Sequence, residues 1–543
     1  MLRGILIASA ALLLLTSLPS EAEACGGLFC NNNQPVNQSA ERILFAHDGG
    51  AIRMHVRISY SGPPSDFGWI LPVPAGVEVE LSSEELFRQL DLQYGPRFIL
   101  TTEFGEECDQ LRAMSAASGE EGNELDDGAG GGVTVVSREA LGPFDRVTLD
   151  AENVGALRAW LKENAFQIPE DIDEKLQPYI DAGRVFVAVK LLDGKGSGEI
   201  QPLRLKFTGD VPSVPIRPTA VAADPDMGVI VHVLGESRAI PANYKHVQIN
   251  EAAIDWPGQG QNYADVVSQA ADEAGGHAFA TDYAGDHAQL SDLYLEIDAQ
   301  TLERVRAAET VRAVAEAFAG TQDADILRVL DAELPFGDGM NAATYVGCIQ
   351  CYSELLGEEV VDGGKVADRV ENEINVARRA IIALLEAHPH LSRHNTTLSP
   401  DEMTKDPEFA FNPDLADVPN QRTAVQFIPC GDNGPDFDKA IIETPSGLSF
   451  RLEQGANPGV ILRQQGTTVA GDGAPGAAVI EQMLTSGAPE IEEDRRPELE
   501  SRYAASRSGE DSGCSCGVAG AGSSLLSPGL LGLLLLGRRR RHR

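Results

Sequence analysis

Between Ala51 and Tyr60 the chain reads AIRMHVRISY, in which Ile52, Met54, Val56, Ile58 and Tyr60 alternate with Arg53, His55, Arg57 and Ser59. Successive side chains of a strand point to opposite faces, so this period of two predicts a strand with one apolar and one water-facing side. The stretch 43–80 continues the theme: a turn at Gly62, Pro63 and Pro64, a returning strand in FGWILPVP and a third over 77–81. Ser82 with Glu85 then predicts a capping box opening a short helix through Leu92. Short strands are expected at 133–136 and 146–149, and helices at 153–164, where Val154, Leu157, Trp160 and Leu161 share one face, and at 170–180.

A second strand-forming block spans 184–255. RVFVAVKLL, PLRLKFTG and GVIVHVLG are its strands, and VPSVPIRPTAV is an extended connector whose prolines cannot donate to a ladder. After Trp256 apolar residues recur at threes and fours, which predicts helices at 263–274, 299–319, 324–330 and 367–387. Residues 393–420 are polar and punctuated by proline, an ordered loop, and the last strands are expected at 425–428 and 448–452. The expected fold is therefore α+β, with mixed, mainly antiparallel sheets in the N-terminal half and helices in the second half.

The two ends read differently. Arg3, the apolar stretch 4–18 and Ala22, Glu23 and Ala24 form the pattern of a secretory signal over 1–24, which would leave Cys25 at the mature start. At the other end 517–536 is uncharged and, as a helix, about 30 Å long, the thickness of a hydrocarbon core. Arg538, Arg539, Arg540, Arg541 and Arg543 follow it and would stay on the cytoplasmic side, leaving the body outside. One C-terminal transmembrane helix is thus added to the expected fold. The expected organisation is a signal at 1–24, a body at 25–465 (β-rich 25–255, helix-rich 256–420, short strands 421–465), a flexible acidic stalk at 466–513 and a tail at 514–543.

The tail, CSCGVAGAGSSLLSPGLLGLLLLGRRRRHR, resembles the MYXO-CTERM sorting signal of myxobacterial surface proteins: a cysteine motif, a short apolar span and an arginine-rich end. That resemblance implies a membrane protease cutting at or next to Cys514 and Cys516, possible lipid attachment there, and passage to the cell surface. CGGLFC at the expected mature start, RILFAHDGG, DFGWILPVP, EAGGHAFATDYAG near Gly275 and TTLSPDEMTKDPEFAFNPDL from Thr396 resemble the domain-of-unknown-function family 2330. The likeness runs from Cys25 to about Asp417; it implies an exported bacterial protein and carries over no catalytic residue.

A formal charge of -39 argues against nucleic acid as a partner and fits a soluble extracellular surface. Cys25, Cys30, Cys108, Cys348, Cys351 and Cys430 make an even set in the body, the default for disulfides in an oxidising compartment, with Cys25 and Cys30 the nearest local pair. Cys348 and Cys351 form CIQC, which reads first as a structural disulfide, with metal ligation and redox exchange as alternatives.

Of the common catalytic signatures, HExxH, the phosphate-binding GxxxxGK[ST] and a complete EF-hand loop do not occur, and the single GxSxG, around Ser515, falls in the tail. His388, His390 and His394 stand at the end of a predicted helix as zinc candidates, against a helix-terminal role. Asp432, Asp436 and Asp438 are calcium candidates, against a solvated acidic turn. No cofactor is required by the sequence. The expected function is a cell-surface binding or structural module, with an envelope hydrolase as the alternative and thiol–disulfide exchange third; the sorting protease and membrane lipid are the expected partners.

Overall fold

The computed structural model describes residues 38–58, 60, 67–105, 135–164, 166, 172–221, 223–337, 339–431, 434–451 and 474–508. Its organising element is a ten-stranded sheet. In chain order its strands are β1 (Gln38–Asp48), β2 (Ala51–Arg57), β3 (Glu78–Leu81), β4 (Leu203–Thr208), β5 (Ala223–Gly235), β6 (Lys245–Ile249), β7 (Ala278–Asp286), β8 (His390–Leu398), β9 (Ala477–Gln482) and β10 (Glu490–Asp494). Their order across the sheet is β10-β9-β6-β7-β8-β5-β1-β2-β4-β3. The β1–β5 and β6–β7 pairs are parallel and the others antiparallel.

Beside it lies a four-stranded antiparallel sheet of Gly68–Val73, Val185–Leu191, Phe144–Leu149 and Val135–Leu141. Ile43, Phe45, Ile52, Met54 and Val56 of the large sheet meet Trp69, Leu71, Val187 and Val189 of the small one in the main core. The small sheet's other face, with Ile70, Leu149 and Phe186, packs on Leu157, Trp160 and Leu176 of helices Val154–Glu163 and Ile172–Asp181. On the far side of the large sheet, Leu44, Ala46, Leu234 and Leu391 are covered by Leu86, Leu90, Leu290, Ile381 and Leu385 from three helices. The result is helix, sheet, sheet, helix. Transfer of such side chains from water stabilises by about 1.5–3 kcal/mol each, so alternation of apolar residues is what fixes the register.

Two further clusters attach. A second four-stranded sheet (Arg97–Phe104, Gln421–Ile428, Ile441–Glu443, Ser449–Arg451) and helices Tyr263–Glu273 and Arg496–Ser508 enclose Phe98, Trp256, Val267 and Leu499. A helical unit between β7 and β8 has its own core of Val305, Val314, Leu330, Tyr345 and Val370.

Several expectations are corrected. The polar face of β2 is not wet: His55 is fully buried with Nδ1 2.6 Å from Ser82 Oγ, and Arg57 pairs with Glu84. Because Ser82 is engaged there, the cap of helix Glu84–Tyr94 is Ser83, which accepts from Leu86 N–H. The helix expected at 299–319 is two, Ala299–Arg306 and Val311–Ala317, and that at 367–387 contains a π turn, Val370–Asn375. The second half is not purely helical, since β7 and β8 stand at the centre of the sheet. The supposed flexible stalk supplies β9, β10 and a helix from 474 to 508, because Ala477, Val479 and Ile480 are buried against the sheet's neighbours. Among the described residues no helix is long and apolar enough to cross a membrane. The signal at 1–24, the span at 517–536 and Cys514 and Cys516 lie outside the described residues.

Candidate functional site

The sequence around Gly275 and that following Thr396 are distant in the chain and meet in space. His277 Nε2 lies 2.7 Å from the Glu402 carbonyl, Tyr244 O–H donates to the Lys405 carbonyl at 2.6 Å, and Asn243 holds the Asp406 carbonyl at 2.8 Å and the Glu408 N–H at 2.9 Å. Gly276 has φ +78°, and a Cβ there would fall 2.2 Å from Glu402 Oε1, so only glycine admits this approach. Farther along, Phe409–Phe411 pairs antiparallel with Ala239–Pro241.

Beneath this loop runs a row of buried polar side chains on β9, β6, β7 and β8. His246 Nδ1 is 2.8 Å from Glu481 Oε1, and His246 Nε2 is 2.9 Å from Thr281 Oγ1. Thr281 Oγ1 is in turn 3.3 Å from His394 Nδ1. Burial lowers the pKa of both histidines, and in Glu481 the opposing effect of burial is outweighed by His246 and Gln248, which leaves its pKa below the usual value. At neutral pH the carboxylate therefore accepts from His246 Nδ1–H, so Nε2 is the acceptor of the Thr281 hydroxyl proton, and Thr281 accepts from His394. His394 stacks on Phe409 with ring centroids 5.4 Å apart. Hydroxyl, imidazole and carboxylate stand in the order used to activate a nucleophile, but Thr281, His246 and Glu481 are all buried, and the row anchors the loop above it.

What that loop borders is a cleft of about 510 Å³ between β2, β4, the strand Gly68–Val73, the helix Ile172–Asp181 and residues 405–408. Pro72, Pro74, Pro178 and Pro215 stiffen its walls, Ile52, Met54 and Phe207 supply apolar surface, and the cations Arg184, Arg217 and Lys405 stand among the carboxylates of Asp210, Asp406 and Glu408. Asp406 accepts from Tyr179 O–H at 2.7 Å and Ile216 N–H at 3.1 Å, with Arg217 Nε 3.9 Å away. Burial raises the pKa of Asp406, and burial followed by the Asp406 charge raises that of Tyr179. Lys405 donates to the Asn243 carbonyl. Arg184 has no ion pair or side-chain hydrogen bond among the described residues.

The opposite face of the large sheet carries charge instead. Arg393 pairs with the buried Asp282, which also accepts from Tyr263 O–H; Arg393 reaches Asp91 at 3.3 Å, and Asp91 binds Arg42 at 2.7 Å. His232 lies among them fully buried, and burial, followed by the Arg393 charge, pushes its pKa down to about 3.

The residues singled out from sequence fall as follows. His388 caps helix Val376–Ala387, while His390 and His394 are on β8, four residues or about 13 Å apart, and His390 pairs with Asp417 at 3.1 Å. They do not converge on one point. Asp436 pairs with Lys439, Asp438 sits in the turn Phe437–Lys439, and Asp432 lies outside the described residues. Among the described residues no three His, Cys, Asp or Glu are arranged to hold a metal. Cys348 and Cys351 are joined to each other, and Cys430 is disulfide-bonded as well; Cys25, Cys30 and Cys108 lie outside the described residues. The cleft was missed because Arg184, Arg217 and Lys405 come from separate stretches with no common spacing; the proline clusters near 72, 178 and 215 were the available signal.

The model of a family described as "Uncharacterized protein conserved in bacteria (DUF2330)" matches residues 19–321. No curated protein and no solved structure matches the chain. The matched span includes β1 to β7 and every cleft residue before the 405–408 loop.

Proposed function

The chain belongs to the bacterial family DUF2330, and we propose that it is an exported, surface-displayed binding module whose ligand occupies the cleft beside Arg184, Arg217 and Lys405. The observation that carries this reading is the cleft itself, a proline-stiffened hollow in which the Arg184 guanidinium has no partner among the described residues, in a chain of net charge -39. A rigid apolar wall loses little entropy on binding, and a cation without a partner selects a negative group. The ligand is therefore an apolar molecule ending in a carboxylate. Display rests on the secretory pattern at 1–24 and the tail at 514–543, whose 517–536 stretch spans the membrane until a sorting protease cuts near Cys514 and Cys516.

Titration of the purified protein with medium-chain fatty acids, and with alcohols of the same chain length as controls, tests the cleft. Binding of the acids, weakened about tenfold by Arg184→Ala, is expected, since one good charged contact is worth about 1.5–3 kcal/mol. Equal binding of acids and alcohols, or no effect of Arg184→Ala together with Arg217→Ala, overturns it. Mass spectrometry of the mature C-terminus tests display, and an intact Arg543 on the finished protein argues against processing.

A second reading, an envelope hydrolase, is favoured by the Thr281–His246–Glu481 order alone. It requires the loop above to lift. Ester hydrolysis lost in Thr281→Ala but retained in Arg184→Ala would replace the first reading with the second.

A further inference from the structure

We infer that Cys348 and Cys351 form an exchangeable disulfide that oxidises cysteine pairs in extended, apolar polypeptide. The pair lies on the helical unit, far in sequence from every cleft residue, and is independent of the binding reading.

Cys348 ends the helix Ala342–Gly347 and stands immediately before helix Ile349–Leu356, whose first turn holds Cys351. The two Cα atoms are 5.3 Å apart and the sulfurs are bonded. Cys351 is exposed and Cys348 half-buried, so one sulfur is open to attack and the other is sheltered at a helix start. A helix N-terminus favours a thiolate, which makes Cys348 the better leaving group.

Two observations separate this bond from a structural staple. First, neither cysteine belongs to the apolar core of the helical unit, which is built from Val305, Val314, Leu330, Tyr345 and Val370 and their neighbours. The cysteines are only three residues apart, and constraint of the unfolded chain contributes least for the shortest loops. Second, Leu355 follows Cys351 by one helical turn and therefore lies on its side of the helix. Leu355 is 70% exposed and Val360 82% exposed, the two most exposed large apolar side chains among the described residues. Val360 is held in place, since Val311 N–H donates to the Glu359 carbonyl at 3.0 Å and Val361 N–H to the Glu309 carbonyl at 3.1 Å. An exposed leucine one turn from an open disulfide is what a reagent for unfolded chain requires: Leu355 meets apolar side chains and the sulfur takes the cysteine.

The chemistry balances as follows. A substrate thiolate attacks Cys351 Sγ, the Cys348–Cys351 bond breaks, and Cys348 leaves as a thiolate. The substrate's second thiolate then attacks the substrate sulfur of the mixed disulfide and expels Cys351. The substrate loses two electrons and becomes a disulfide; the protein gains them and becomes a dithiol. Another turnover needs a low-molecular-weight disulfide to reoxidise the pair.

The test uses the full chain with a reduced two-cysteine peptide flanked by leucines, a serine-flanked counterpart, and dithiothreitol. Expected is one peptide disulfide formed per chain, with alkylation and mass spectrometry locating the new thiols at Cys348 and Cys351. The leucine-flanked peptide should react about tenfold faster than the serine-flanked one, because leucine gains by leaving water for an apolar surface. Leu355→Asp with Val360→Asp should remove that preference and leave the reaction with dithiothreitol unchanged. Cys348→Ser should trap a mixed disulfide between Cys351 and an oxidised peptide, with circular dichroism verifying that the variant is folded. A disulfide that stays closed in the presence of the reduced peptide, or equal rates for the two peptides, overturns the inference.

Discussion

The two faces of the strand His390–Leu398 hold buried polar groups by opposite means. On one face Arg393 is held by charge, between Asp282 and Asp91, with Arg42 completing the set. On the other, His394 ends a chain of hydrogen bonds in which Glu481 alone is ionised. A buried ion left without its partner keeps the whole cost of its lost hydration, whereas a chain with a single ion at one end loses its neutral links one bond at a time. The face of paired ions is therefore the brittle one, and the hydrogen-bonded face the one that can give way beneath the cleft loop.

The largest break in this contrast is Arg393→Met. It strands Asp282 in the sheet and should cost about 3–5 kcal/mol in urea unfolding; a loss under about 1 kcal/mol would mean that the two faces do not differ. Glu481→Ala strips His246 and Gln248 of an acceptor and should cost about 1–3 kcal/mol, with faster proteolysis confined to the loop at 399–418. Global unfolding before the loop is cut would reverse the comparison.

Acid should act through the histidines. Burial, joined by neighbouring arginines, holds His55 and His232 at pKa values of about 3, so the folded protein refuses protons that the unfolded chain accepts below about 6.5. Their contribution is complete above pH 6.5 and is lost as pH falls towards 3, by about 1.4 kcal/mol per pH unit for each group. His232→Gln should flatten the dependence of the urea midpoint on pH between 6.5 and 4, and an unchanged slope would show that His232 is already charged.

Glu41 sharpens the comparison from the other side of neutral pH. Burial raises its pKa to about 7 against the pull of Thr219. Its neutral form favours the fold below the usual carboxylate value, and that benefit is lost as pH rises through 7. Glu41→Gln should match the parent near pH 5 and exceed it by about 2.5 kcal/mol at pH 8. Equal stability at both pH values would place a charged Glu41 in the core without cost.

This contrast also explains what could be read from the sequence. Ile52, Met54 and Val56 announce β2 because everything on one of its faces is apolar. In HLSRHNTTL that signal is missing, because Arg393 occupies one face and His394 the other, each satisfied by partners more than a hundred residues away. The strand is buried without being hydrophobic. β7 hides similarly behind small residues, and Ser82 misled as a cap because its hydroxyl serves His55. The main core was legible, then, while the cleft depends on backbone turns that bring Arg184 and Lys405 together without a shared pattern.

The place of β8 in the sheet also determines when the protein can be finished. β5 and β7 flank it, so the early strands leave a gap that stays open until residue 398 has been synthesised. β9 and β10 arrive later still and complete one edge. A nascent chain carrying only β1 to β7 thus exposes bare strand edges on both sides of the missing β8, the kind that pair with other chains. Contacts of such long sequence separation also form slowly. The centre of this sheet is laid late, and until then the growing chain has to be kept apart from its own copies.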